Sequence, residues 1–236
     1  MYRFNFYRIF HVAAAIIVTV SLIACGIHIH ADVAKTAASE NAKNAPTVVI
    51  DAGHGGEDCG AIGTSGVYEK DLNLAVSLKL AEYLNAAGYT TVLTRTDDRL
   101  LYKEDENIKG MRKICDLKNR VAIANSTPNA IFISIHMNSY GSSGCRGLQA
   151  YYGTFGDSDR LAMAIQSNVA EKLQPTNKRA VKRGEGLYLL ENTTVPAVIV
   201  ECGFLSTPDE CEKLSQKDYQ KELSFAILCG IIEYMK

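Results

Sequence analysis

Apolar residues fall along this chain in two alternating rhythms. Short unbroken runs, Val48-Val49-Ile50, Ala130-Ile131-Phe132-Ile133 and Ala197-Val198-Ile199-Val200, are rich in β-branched residues, as strands buried on both faces are. Between them, apolar residues recur three and four apart. Leu72, Val76, Leu80, Tyr83, Leu84 and Ala87 predict a helix from near Asp71 to Gly88. Ile114, Leu117, Val121 and Ala124 predict a second over 112–125, and Leu161, Ala164, Ile165, Val169 and Leu173 a third over 160–173. Leu223, Ala226, Ile227, Gly230 and Ile231 predict a last one over 219–234. Tyr89 to Arg95 and Leu148 to Tyr152 read as further strands, 96–107 as a polar turn region, and Leu187 to Leu190 as a short apolar run. Strands alternating with helices predict an α/β fold: a single domain, its largely parallel twisted sheet of about six strands covered by helices on both faces.

The N-terminus breaks this rhythm. Arg3 and Arg8 precede an apolar stretch from Ile9 to Ile27, which predicts a signal peptide or membrane anchor over 1–31, with a buried core helix as the bland alternative. Leu22-Ile23-Ala24-Cys25 also has the look of a lipobox, which would leave Cys25 lipidated. Residues 32–46 carry Ala, Lys, Asn, Ser and Thr without apolar period and read as a linker, so the folded domain spans 47–236. The formal charge of −1 comes with no basic patch interleaved with aromatics, and no nucleic-acid partner is expected. The seven cysteines include no Cys-x-x-Cys pair, which argues against a structural zinc knuckle. Cys59 and Cys145, both in glycine-rich loops, are the pair most suited to a disulfide, while Cys202 and Cys229 sit in apolar runs as small core residues.

Chemistry concentrates where strands end. The first run closes on Asp51-Ala52-Gly53-His54-Gly55-Gly56, the second on His136-Met137-Asn138, and the third on Glu201. Glu69 opens the helix that follows the first. A lone histidine near a core more often packs or makes a local hydrogen bond, and an acid in a first helical turn is explained by the helix dipole alone. In open α/β sheets, however, ligands collect at the carboxyl ends of strands. His54, Glu69 and His136 supply two imidazoles and one carboxylate, a set typical of catalytic zinc, which leaves Glu201 as a general base. Their wide spacing matches no local metal motif, so three unrelated core or cap residues remain the rival explanation. Arg120, on the second predicted helix, is either a solvated charge or an internal clamp.

Asp51 to Gly56, Glu69-Lys70-Asp71-Leu72-Asn73, Arg120 with Ala124-Asn125, Ser134-Ile135-His136-Met137-Asn138 and Glu201-Cys202-Gly203-Phe204-Leu205-Ser206 together resemble, in order, the zinc-dependent N-acetylmuramoyl-L-alanine amidases of the third amidase family. Ala52 stands where that family often has proline. The resemblance implies one Zn2+ per chain on His54, Glu69 and His136, with Glu201 as the catalytic carboxylate. It also implies that Asp51 orients a ligand and that Asn138 and Arg120 shape or stiffen the cleft. The implied partner is peptidoglycan, cut between the lactyl group of N-acetylmuramic acid and L-alanine of the stem peptide. The short segment after His136 implies an open cleft without the long regulatory helix of some relatives. The stretch Lys182 to Leu189 is similar to spore germination-type members, which act in making muramic-δ-lactam of spore cortex. The protein is then exported to the envelope of a bacterium, secreted or membrane-anchored through its N-terminal segment, with an accessory protein left open. Rival readings are a peptidoglycan-binding protein without catalysis and a zinc peptidase cutting within the stem peptide.

Overall fold

The computed structural model describes residues 45–141 and 144–236. The apolar N-terminal stretch and Cys25 lie outside them. Among the described residues, six strands and six α-helices follow one another: β1 (Thr47–Ala52), α1 (Glu69–Ala86), β2 (Thr91–Leu93), α2 (Arg112–Ser126), β3 (Ala130–Asn138), β4 (Gln149–Tyr152), α3 (Ser158–Lys172), β5 (Lys182–Arg183), α4 (Tyr188–Asn192), β6 (Ala197–Phe204), α5 (Pro208–Ser215) and α6 (Lys217–Tyr234). The sheet order is β2-β1-β3-β6-β4-β5. All neighbours are parallel except β4 and β6, which run antiparallel.

The side-chain alternation of the strands sorts the core into two layers. Val48, Ile50, Ile131, Ile133, Ile135, Val198 and Val200 face α1, α3 and α6 in the larger cluster. Val49, Phe132, Ala197 and Ile199 face α2 and α4 in the smaller one. That double cover is why the central strands read as continuous apolar runs. α1 ends where Gly88 takes φ 90°, its N–H reaching Asn85 O while Tyr89 N–H reaches Leu84 O.

The structure departs from the periodicity in a few places. α1 begins at Glu69, two residues earlier than the apolar spacing marks. β2 stops at Leu93 because Thr94 and Arg95 turn inward and are buried beside the end of β1. The short apolar run around Leu189 is a short helix, and a further strand, Lys182–Arg183, has no counterpart in the periodicity. α5, started by Pro208 at its first position, has no counterpart among the predicted helices. Cys59 keeps a free thiol that donates to Gly60 O, so it forms no bridge with Cys145. Among the described residues, no helix is long and apolar enough to cross a membrane.

Gly230 fixes how closely α6 approaches α3: a Cβ there would lie 2.5 Å from Ile165 Cα and 2.7 Å from Ala164 O. A mid-helix Gly→Ala change ordinarily stabilises by up to about 1 kcal/mol. Here the clash is with backbone, which cannot swing aside. Gly230→Ala is expected to destabilise the fold by about 1–3 kcal/mol, read as a lower urea midpoint at unchanged slope.

Candidate active site

One face of the sheet carries a row of chemically active positions. Asp51 is in register with Ser134, His136 with Glu201, and Glu201 with Gln149. Gly53 continues the row beyond β1, its N–H bonded to Ile135 O. Directly opposed residues share a face, so Gly53, His136, Glu201 and Gln149 line up side by side. Gly53 has to lack a side chain: a Cβ there would sit 2.2 Å from His136 Nε2.

The turn after β1 delivers His54 into this row. His54 takes φ 61°, a left-handed conformation that costs a non-glycine residue about 1–3 kcal/mol unless its surroundings enforce it. Arg120 Nη2 donates to the His54 carbonyl at 2.8 Å and holds it there. Within the ring, Nδ1 meets Asp58 Oδ2 at 2.9 Å and Nε2 lies 3.2 Å from Glu69 Oε1. Across the gap, His136 Nδ1 lies 3.0 Å from the same Glu69 oxygen. One ligand atom from each of His54, Glu69 and His136 falls within 4.8 Å of the others, a cluster that could hold a metal ion. Backbone N–H groups restrain the carboxylate: Ala61 donates to Oε2 at 2.8 Å and Met137 to Oε1 at 3.1 Å. Gly60, at φ 66°, lets the chain pass the cluster where a Cβ would lie 2.6 Å from Glu69 Oε2.

Electrostatics reinforce the geometry. Burial opposes ionisation of Glu69, but hydrogen bonds to His136 and His54 overcome it and hold the carboxyl well below the usual carboxylate range. Burial likewise opposes a charged His54, yet Asp58 and Glu69 outweigh it and carry the imidazole up to about 9. The pocket thus stabilises positive charge, whether a proton or a metal ion. Asp58 is the partner that sequence reasoning passed over. A carboxylate on the far nitrogen of a ligating histidine is the usual device for fixing its tautomer.

Behind the ligands lies a buried ionic network. Asp51 is fully buried and accepts from Arg120 Nη1 at 2.6 Å, Ser134 Oγ at 2.6 Å and Thr94 Oγ1 at 2.7 Å. Arg120 also binds Asp116 Oδ2 and the Ala52 carbonyl. It is therefore the internal clamp of the two readings, 1% exposed. Arg95, equally buried and not singled out by the sequence, donates to the carbonyls of Ala52, Gly53 and Lys70. Asp51 bonds none of the three clustered side chains; it acts on the turn through Arg120. Asn138 lies at a β-bulge beyond His136, its carbonyl accepting Leu205 N–H at 2.8 Å.

Glu201 opens onto a cleft of about 310 Å³ lined by His54, His136, Lys113, Leu117 and the 186–189 segment. Burial is the first cause of its raised pKa, about 6; the neighbouring Glu69 adds to the rise and His136 opposes it. Its Oε2 meets no protein donor. Among the described residues of 139–148 there is no helix.

A sheet that gathers two imidazoles and a carboxylate at its strand ends, a set that could hold a metal ion, beside a second, protonatable carboxylate is an arrangement suited to hydrolysis. The chain belongs to the N-acetylmuramoyl-L-alanine amidase family, whose model matches residues 48–233. It is 36% identical over 188 residues to the germination-specific N-acetylmuramoyl-L-alanine amidase of Bacillus subtilis, covering 79% of this chain and 78% of that one. Among solved structures, the CwlD amidase of Clostridioides difficile, in complex with the GerS lipoprotein, superposes with a TM-score of 0.76 at 40% identity, covering 80% of this chain and 98% of that one. The catalytic domain of CwlV from Bacillus (Paenibacillus) polymyxa gives 0.67 at 36% identity, with 80% and 97% covered. The chain is thus an N-acetylmuramoyl-L-alanine amidase by family and by fold.

Two outcomes follow from this geometry. Asp51→Asn is expected to cost about 3 kcal/mol in urea unfolding at pH 7, the low end for breaking a buried pair because Asp116 stays on Arg120. The Asp51 carboxyl is burdened by burial, but Arg120, Ser134 and Thr94 lower its folded pKa below 3.8. Its contribution is therefore full above about pH 4 and lost as pH falls through the depressed folded value, and the variant should lack that part of the acid loss. Asp58→Asn is expected to weaken metal binding about 10- to 100-fold, measured by chelator competition, and to lower the melting temperature of the metal-free protein at pH 7, where the Asp58–His54 pair adds stability that is lost as pH rises through about 9.

Proposed function

We propose that this amidase cuts the amide between the lactyl group of N-acetylmuramic acid and the L-alanine of the stem peptide in spore cortex, with His54, Glu69 and His136 holding one Zn2+ and Glu201 carrying the proton. The observation that bears most weight is the pairing of a closed donor set with a free carboxyl: three convergent ligand atoms, and a Glu201 oxygen without a donor across from His136. The donors present, two imidazoles and one carboxylate, fit a catalytic zinc site with a position left open. Zinc bound there supplies Lewis-acid polarisation of the scissile carbonyl and lowers the pKa of water.

The protein's own groups do the rest. Asp58 on Nδ1 keeps His54 Nε2 aimed inward. As water adds to the carbonyl carbon, Glu201 takes one of its protons; as the C–N bond breaks, Glu201 passes that proton to the amine of L-alanine, and the lactyl carboxylate is the other product. A carboxyl titrating near 6 suits both halves of that transfer. Asp51, Arg120 and Arg95 keep the His54 turn rigid, and Asn138 stiffens the strand end beside His136. Leu117, Leu187 and Leu189 give the cleft an apolar wall. Residues 1–31 export the chain and tether it at the cell envelope, 32–46 link, and 47–236 catalyse. The cortex assignment draws on similarity to the germination-specific amidase and to CwlD. The complex of CwlD with a lipoprotein makes an accessory protein of that kind part of the proposal.

Glu201→Gln is expected to retain zinc and lower turnover by at least about 100-fold. Mass spectrometry of digests of purified cortex and vegetative wall, with and without chelator, is the direct check. Intact stem peptides released from muramoyl lactyl groups, preferentially from cortex and only without chelator, are expected. Shortened peptides would mean a peptidase, no release at stoichiometric zinc would mean a binding protein, and equal release from vegetative wall would remove the cortex assignment.

A further inference from the structure

Among the described residues, four buried side-chain atoms meet no hydrogen-bond partner: Asn73 Oδ1, Ser77 Oγ, Gln149 Oε1 and Glu201 Oε2. The first two lie one turn apart on α1, where Asn73 Nδ2 donates to Gly53 O and Glu69 Oε1. The last two belong to directly opposed residues of β4 and β6. Opposed residues on antiparallel strands share a face, with Cβ atoms about 5 Å apart. Gln149 and Glu201 thus stand next to each other, each holding an oxygen that accepts and finds nothing to accept from.

The orientation of the Gln149 amide follows from its other end. Nε2 donates to the Ala180 carbonyl at 2.7 Å and approaches the Ala150 carbonyl at 3.3 Å. Rotating the amide would aim Oε1 at two carbonyl oxygens, so Oε1 is the end left over. Gln149 is 2% exposed and lies outside the cleft lining, beside Glu201 on the neighbouring strand. It cannot touch a substrate in the cleft and can act only through its neighbour. A buried acceptor without a donor costs about 1–3 kcal/mol, and two such acceptors on directly opposed residues of one face are within reach of a single molecule that donates twice. Water is the molecule of that kind and size.

We infer that Gln149 is a positioning residue for Glu201, holding one ordered water that donates to Gln149 Oε1 and Glu201 Oε2. Tying Oε2 at the rear leaves Glu201 Oε1 facing the cleft, and the transferred proton then resides on the oxygen nearest both the attacking water and the leaving amine. The bridging water keeps both of its own protons throughout, since Oε2 accepts from it whether Glu201 is carboxylate or carboxylic acid. This rests on Glu201 being the proton carrier.

The test compares the zinc-loaded protein with Gln149→Met, which keeps the side-chain length and removes the acceptor, and Gln149→Asn, which keeps a buried amide but withdraws it by one methylene. Both are expected to lower kcat about 10- to 100-fold, the worth of one hydrogen bond to a charged group, with KM and zinc content unchanged. A crystal structure of the zinc-loaded protein is expected to show a water within hydrogen-bond distance of both oxygens. Should Gln149→Met fail to fold, Gln149→Asn carries the kinetic comparison. Wild-type kcat in a folded variant, a loss confined to KM or melting temperature, or no shared water in the crystal overturns the inference. Glu201→Gln run alongside separates the failures: full turnover there sinks the proton-carrier reading itself, whereas an inactive Glu201→Gln beside fully active Gln149 variants sinks only the role of Gln149.

Discussion

The Asp51–Arg120 pair is the constraint on which the rest of the site depends. Two opposite charges removed from water are costly unless their polar atoms find partners, and here each side-chain nitrogen and oxygen of the pair has one: Asp51 takes three hydrogen bonds, and Arg120 makes four, to two carboxylates and two carbonyls. What the pair yields is conformational. The carbonyls it fixes belong to Ala52 and His54, and Arg95 fixes those of Ala52 and Gly53 from the other side. A turn whose successive carbonyls are all held cannot relax the positive φ of His54. The strain of that residue is therefore borne by a network formed from β1, β3, α2 and the segment after β2, so distant parts of the chain must fold before the histidine is aimed.

Sheet register then does the rest of the placing. His136, Glu201 and Gln149 are brought side by side from three strands because they are in register on one face, and Gly53 leaves the room that His136 needs. The two acids of the site come out with opposite character for reasons the same geometry supplies. Glu69 is buried but bonded to two imidazoles and two backbone N–H groups, which pins it as an anion. Glu201 is buried without such donors and sits near the Glu69 charge, which pushes its proton affinity up to about 6. Carboxyls driven apart in this way divide the labour of a hydrolase into a permanent anion and a proton carrier.

Much of this was legible in the sequence, and the reasons are physical. β1, β3 and β6 are covered on both faces, so their apolar runs stand out, and the residues at their carboxyl ends could be picked as a group. α1, α2, α3 and α6 show their inward stripes for the same reason. What escaped were features set by tertiary contact. Arg95 reads as the polar end of an alternating strand, and only the fold reveals that its guanidinium is buried against four carbonyls. Asp58 lies in a glycine-rich loop where an acid is an ordinary turn residue; its four-residue spacing from His54 was the available hint. β5 has two residues and α4 five, too few for either period to register.

The contrast between the metal cluster and Glu201 is itself functional. Both Glu69 oxygens are tied to backbone or side-chain donors, and His54 is tied through Asp58, so the donor set is assembled by the protein before any cation arrives. Binding then pays little to order the ligands, and the ring faces cannot drift as charge develops nearby. A proton carrier has the opposite requirement. An oxygen already saturated with donors is a poor base, so the carboxyl that must gain and lose a proton within one turnover is the one the protein does not pin with its own donors, its buried Oε2 meeting none. Rigidity is concentrated on the groups that keep their charge, and the remaining hydrogen-bonding capacity is left on the one that changes it.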